Sequence, residues 1–270
     1  MDFSFNSYNE SAWFGLAPDP RCTITAAARA GYARVGLDFP TLAAFCDGHG
    51  TIGDVAQMLA DAGIGCSTVT AAGMYGDGND VGEVTRRAGE WASALGAAFL
   101  QSNFMTSDRA QQVGELEQAC RAVEAVAPGV KIAIEHMPIF GLNLLNDAVE
   151  VARGVGFERA GVLVDVWHVS HGGDTWADLE AMPMEAVAYL ELCDALAPIG
   201  DDLQVEMTGR RTFPGEGVLD VNRFCRTFAQ AGYDGMISVE IVSEAWRGGD
   251  IDEFAARGLS ATQSVWNGAR

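Results

Sequence analysis

The stretch Lys131-Ile132-Ala133-Ile134-Glu135-His136-Met137 is short, apolar and closes around a carboxylate. Side chains alternate along an extended chain, so Ile132 and Ile134 share one face while Ala133 and Glu135 share the other. The layout returns three times downstream. In 160–167, Val162 and Val164 oppose Leu163 and Asp165. In 187–193, Leu190 and Leu192 oppose Tyr189, Glu191 and Cys193. In 235–241, Ile237, Val239 and Ile241 oppose Ser238 and Glu240. A barrel strand packs one face on helices and turns the other to the lumen. With the branched residues against the helices, four successive strands each send a carboxylate inward near the C-terminal end. That end is where barrels of this kind carry their chemistry.

The rhythm extends upstream. Further strands are expected at 2–8, 33–39, 64–71 and 97–103. Amphipathic helices are expected at 22–31, 51–62, 80–96, 108–127, 143–154, 174–181, 219–231 and 252–267. Thr51 and Asn143 read as N-caps, and Gly31, Gly63 and Gly232 as helix ends. Eight strand–helix pairs in 270 residues indicate an α/β fold, a (β/α)8 TIM barrel forming one domain over 1–270. No Gly-x-Gly-x-x-Gly follows the first strand, so a dinucleotide fold has no support.

Composition narrows the function. Acidic residues number 37 against 17 basic ones, a formal charge of −20. Such a surface repels phosphate backbones and anionic lipid, so neither nucleic acid nor a membrane is an expected partner. Lys131 is the only lysine and sits where its strand enters, away from the carboxylates. A Schiff-base or pyridoxal phosphate mechanism is therefore disfavoured. The six cysteines are scattered without pairing or Cys-x-x-Cys spacing, and the N-terminus has no basic or apolar leader. Both features point to a reducing cytoplasmic location.

Four inward carboxylates cannot all stay ionised in a low dielectric without compensation. Protonation and a divalent cation are the two ways out, and the equivalent positions of all four favour the cation. Oxygen ligands suit a hard ion, Mn²⁺ or Mg²⁺, over a thiolate-type zinc site. His168, three residues past Asp165, is expected at the barrel mouth as an acid/base or hydrogen-bond donor. His171 reads as a mobile loop residue and His136 as packed behind the site. Residues 195–218 read as a long loop carrying Arg211 and Pro214-Gly215-Glu216-Gly217. Arg211 is either a surface charge paired with Glu206 or a clamp on a substrate anion. Trp13, Phe14, Trp167 and Trp246 are expected around the mouth.

The ordered set Ile-Ala-Ile-Glu135-His-Met-Pro, Val-Leu-Val-Asp165-Val-Trp-His168, Tyr-Leu-Glu191-Leu-Cys-Asp194, Glu206 with Arg211-Thr-Phe-Pro-Gly-Glu-Gly217, and Ser-Val-Glu240-Ile resembles the xylose isomerase-like superfamily. The likeness is to its sugar phosphate isomerase/epimerase branch and covers residues 131–241. The resemblance implies one divalent metal, Mn²⁺ or alternatively Mg²⁺ or Co²⁺, held by Glu135, Asp165, Glu191 and Glu240. Glu191 departs from the His or Gln of the family and makes the ligand set unusually anionic. The resemblance further implies Glu135, Glu240 and His168 as catalytic residues, with Arg211, Glu206 and Trp167 meeting a small-molecule substrate. The leading expectation is an isomerase or epimerase that removes a proton alpha to a carbonyl of a sugar-like hydroxy-ketone. The alternative is a dehydratase of a cyclic hydroxy-ketone such as an inosose or 3-dehydroshikimate. A third reading is a non-catalytic sugar-binding barrel. A homo-oligomer is compatible with all three.

Overall fold

Why the chain closes on itself follows from eight short strands that each bury both faces. The computed structural model describes residues 1–270 apart from Pro18, Asp77 and Asn79. The strands are β1 (Asp2–Asn6), β2 (Arg34–Asp38), β3 (Gly65–Thr70), β4 (Phe99–Phe104), β5 (Lys131–Glu135), β6 (Ala160–Asp165), β7 (Val187–Leu192) and β8 (Met236–Val239). All neighbours are parallel. β1 pairs with both β2 and β8, and the ring closes where Thr68 and Val69 of β3 face Phe99 and Leu100 of β4. This is a closed TIM barrel.

The two faces separate as the alternation requires. Ile132, Ile134, Val162, Val164, Leu190, Leu192, Ile237 and Val239 join the main core under the helices. Ala133, Leu163 and Tyr189 form a separate plug in the lumen, with Phe99 and Met236 packed against it. Fully burying one such branched side chain is worth roughly 1.5–3 kcal/mol. A one-residue slip would exchange the faces and drive the carboxylates into the helical layer, so the register is strongly determined.

The helices are α1 (Pro20–Ala30), α2 (Phe39–Asp47), α3 (Ile52–Ala62), α4 (Val81–Leu95), α5 (Arg109–Val126), α6 (Leu145–Val155), α7 (Val166–His171), α8 (Trp176–Ala181), α9 (Leu203–Gly209), α10 (Val221–Gln230) and α11 (Ile251–Ala269). Thr51 caps α3 in a reciprocal capping box with Asp54. Gly31 and Gly63 end α1 and α3 with positive φ.

Three expectations are corrected. α2 was not anticipated; it forms because Asp38 caps the Thr41 amide and Pro40 fits the first turn. Asn143 does not cap α6. That position falls to Leu144, which has no capping side chain, and Asp174 reaches across to accept from the Leu145 amide instead. Residues 195–218 are not an open loop. Asp194–Ala195 pairs antiparallel with Arg211–Thr212, and α9 lies between them. Among the described residues, no helix is long and apolar enough to cross a membrane.

Candidate active site

The C-terminal ends of β5 to β8 deliver the four carboxylates to one place. One oxygen from each of Glu135, Asp165, Glu191 and Glu240 lies within 4.8 Å of every other. Asp165 and Glu191 are buried, Glu135 is 2% exposed, and the Glu240 side chain retains slight access.

Each acid is held differently. Glu135 Oε2 accepts from Gln101 Nε2 at 2.5 Å and from Asn103 Nδ2 at 3.1 Å. Its Oε1 has no hydrogen-bond partner, although His168 Nε2 stands 3.1 Å away. Asp165 Oδ1 accepts from the Trp167 amide, capping α7, while Oδ2 takes Arg211 Nη1 at 2.6 Å. Glu191 Oε1 accepts from Asn6 Nδ2 and Ser238 Oγ. Glu240 Oε1 accepts from the same Asn6 amide, and Oε2 takes Arg211 Nη1 at 3.1 Å.

Ionisation follows these surroundings. Burial and the neighbouring Glu240, Glu135 and Asp165 push Glu191 well above the usual carboxylate range. Burial pushes Glu240 up to about 8, the attraction of Arg211 only partly offsetting it. For Glu135, burial acts upward too, but His168, the Asn103 hydrogen bond and Arg211 outweigh it and hold the acid below its ordinary value. Two acids are thus pushed toward the protonated state and one toward the ionised state within a single ring.

The donor set fits a divalent cation. All four are oxygens, their spacing is that of a coordination shell, and the buried Glu135 Oε1 lacks a partner. Arg211 is the fixed positive charge beside them. Its guanidinium is buried, also donates from Nε to the Met207 carbonyl, and lies over the Trp167 ring.

Above the ring opens a cavity of about 250 Å³. Glu135, Glu240 and Arg211 face it, with Gln101, Asn103 and Tyr8 beside them. Asp165, Glu191 and His168 do not line it. Ala71 at its edge has φ +50°, rare for a residue with a Cβ, and donates its amide to Gln101 Oε1.

Several expected site residues sit elsewhere. Trp167 is fully buried and stacks on His171 behind the site, so it braces Arg211 rather than meeting the cavity. His171 is the last residue of α7, bonded to the Trp167 carbonyl, and not a loop residue. Glu206 pairs with Arg210 and accepts from the Ile199 amide, away from Arg211. Trp246 packs on Phe213 and Phe254 instead of the mouth. The Pro214-Gly-Glu-Gly217 turn closes on an acid of the fold. The Asp194 carboxylate accepts from the amides of Gly215, Gly217 and Leu219, and a Cβ on Gly217 would meet Asp194 and the Ala195 carbonyl. Sequence reasoning missed Asn6, Gln101 and Asn103. Their signal was present, since each occupies the inner face of a strand, Asn6 and Asn103 near its C-terminal end and Gln101 one inward position earlier.

Comparison with known proteins bears on the family of the chain. The chain is 26% identical over 161 residues to an inosose isomerase of Halalkalibacterium halodurans, spanning 56% of each protein. It is 28% identical over 119 residues to a 3-dehydroshikimate dehydratase of Pseudomonas putida, covering 44% of this chain and 18% of that protein. The chain thus spans little more than half the length of the first curated relative and far less of the second. The crystal structure of the IOLI protein with a bound zinc atom superposes with a TM-score of 0.85 at 18% identity, covering 100% of this chain and 99% of that one. A family model described as xylose isomerase-like TIM barrel matches residues 24–262, and the chain belongs to that family.

Proposed function

We propose that the chain is a divalent-metal-dependent isomerase or epimerase acting on a small hydroxy-ketone by proton transfer alpha to the carbonyl. One observation carries this reading: of the four ring carboxylates, only Glu135 and Glu240 reach the cavity. Both open on the cavity that Arg211 also lines, placed to serve as an acid/base pair. Glu135, Asp165, Glu191 and Glu240 would hold the metal, with Mn²⁺ the best match and Mg²⁺ or Co²⁺ as alternatives. A bound divalent ion supplies Lewis acidity toward a carbonyl oxygen.

The chain's own residues supply the rest. Glu135, kept ionised by Asn103 and His168, accepts the alpha proton. Glu240, the second ring carboxylate at the cavity, returns a proton to the substrate. Gln101 and Asn103 fix the Glu135 carboxylate through its Oε2. Arg211 holds Glu240 and Asp165 in register. His168 backs Glu135 from within the fold. The relative named inosose isomerase supports the same assignment.

A dehydratase is the second reading, favoured by the relative named 3-dehydroshikimate dehydratase. Both begin with the same proton removal and part at the product, which is an isomer of the substrate or lighter by one water. The test is a panel of ketoses and cyclic hydroxy-ketones in D₂O with Mn²⁺-loaded protein, followed by mass spectrometry. Deuterium at the alpha carbon with conserved mass composition supports the isomerase. Loss of water assigns the dehydratase. Absence of exchange across the panel in metal-replete protein refutes both.

A further inference from the structure

The cavity is two-toned. Its floor holds Glu135, Glu240, Arg211 and the amides of Gln101 and Asn103. Its upper wall is formed by Trp13, Pro40, Met74, Met137, Phe140 and Met207, with neutral Gln204 and Thr208 on one edge. These residues come from the segments after β1, β3 and β5, from the start of α2 and from α9, so the apolar wall surrounds the mouth. Trp13 is 71% exposed and Met74 37% exposed among the described residues, so both apolar side chains of the wall are open to solvent.

A phosphorylated substrate is poorly served here. Arg211 is the only cation among the described residues lining the cavity. Its Nη1 is bound to Asp165 and Glu240, its Nε to the Met207 carbonyl, and its Nη2 lies 3.5 Å from His168 Nε2. Helix α2, which reaches the cavity through Pro40, has its N-terminus capped by Asp38. Among the described residues lining the cavity, no free positive end is left for a phosphate dianion, and the ring itself is anionic. A heavily hydroxylated outer portion is also poorly served, since hydroxyls pressed on indole, phenyl and thioether groups lose water without replacement partners.

We propose that the site takes an unphosphorylated, uncharged hydroxy-ketone carrying an apolar group at the end remote from its reacting carbons. The ketone end meets the carboxylates and amides, and the apolar group lies against Trp13, Met74 and Phe140. Methionine side chains adapt their shape, so the wall specifies apolar character more than one outline. This rests on the enolising reading above for which end points inward.

The test compares three ligands on Mn²⁺-loaded protein by calorimetry: a free ketose, its terminal phosphate monoester, and its terminal benzyl ether. The benzyl ether is expected to bind about tenfold or more tightly than the free ketose, and the phosphate about tenfold more weakly. The double variant Trp13→Ala/Met74→Ala, altering exposed side chains, should reduce the benzyl-to-free preference to below about threefold. A phosphate that binds more tightly than the free ketose overturns the proposal, as does a benzyl preference near unity. So does a preference that the double variant leaves intact. If light scattering shows that variant changing its oligomeric state while the preference is unchanged, the wall belongs to a contact between copies. Deuterium exchange into the free ketose is followed in parallel. Exchange without preference overturns this inference alone, preference without exchange overturns the enolising reading alone, and neither together overturns both.

Discussion

The two halves of the barrel contribute opposite kinds of polar group to one site. Strands β5 to β8 supply the anions Glu135, Asp165, Glu191 and Glu240. Strands β1 and β4 supply neutral amides: Asn6 donates to Glu191 and Glu240, and Gln101 and Asn103 donate to Glu135. A ring built of acids alone would be held apart by its own repulsion. Neutral donors orient an acid without neutralising it, which leaves its charge available to a cation. The single fixed cation, Arg211, comes from the excursion after β7 and ties Asp165 to Glu240. The halves differ in tolerance as a consequence. Removing an anion deletes a charge of the site, whereas removing an amide leaves all four carboxylates in place.

The sharpest way to break this division is to remove the proton-transfer pair. Glu135→Gln/Glu240→Gln keeps the shape and deletes both charges, and should lower solvent deuterium exchange at least about a thousandfold. Exchange that persists near the original rate would show that the proton moves elsewhere. Asp165→Ala comes next. It should weaken Mn²⁺ binding by more than about a hundredfold in calorimetry and leave Arg211 buried without its shortest partner, at a stability cost of about 3–5 kcal/mol. On the amide side, Asn103→Leu should weaken metal binding by about 10–100-fold while leaving all four carboxylates in place. An effect as large as that of Asp165→Ala would erase the distinction between the halves.

The smallest expected effect concerns pH. Glu240 is raised from 4.5 to about 8, and Glu191 is also raised, so the metal-free ring carries protons at neutral pH. Metal must displace them, and affinity should climb with pH up to about 8 with measurable proton release. The sign for stability is the reverse. A carboxyl whose folded pKa is raised stabilises at low pH, and that contribution is lost as pH rises. The melting temperature of metal-free protein should therefore fall between pH 4.5 and 8 on account of these two acids. Glu191→Gln keeps an oxygen ligand and removes one titrating group. It should bind Mn²⁺ within about tenfold of the parent and show a shallower pH dependence.

The reading of β5 to β8 survived because it rests on alternation alone. Ile132 and Ile134 need only an apolar helix layer on one side for Glu135 to face inward, whatever else the chain does. The same logic applied to Phe3-Ser4-Phe5-Asn6 and to Leu100-Gln101-Ser102-Asn103 would have found Asn6 and the two β4 amides. An amide looks unremarkable in a sequence, whereas four acids at matching positions do not. The excursion after β7 misled for a different reason. Glycines are permissive toward any close approach, and nothing local says whether a ligand or an aspartate will fill the space. Asp194 fills it at Gly217.

From the amino-acid order alone came the closed parallel barrel, the inward face of each late strand, and the carboxylate ring at its C-terminal end, since all three follow from a period of two and from burial. Only the tertiary structure decided which residues meet across the ring. Arg211 lies 46 positions from Asp165 and 29 from Glu240, yet it holds both, while Glu206, five positions away, turns to Arg210. Which cation an acid pairs with depends on where the β7 excursion folds back and which side chains remain exposed to water. Trp167 shows the same dependence, since an indole beside His168 in the chain is carried behind the site once α7 begins at Val166. Local periodicity orients side chains relative to their own strand, but distances between strands are set by closure and packing of the whole barrel.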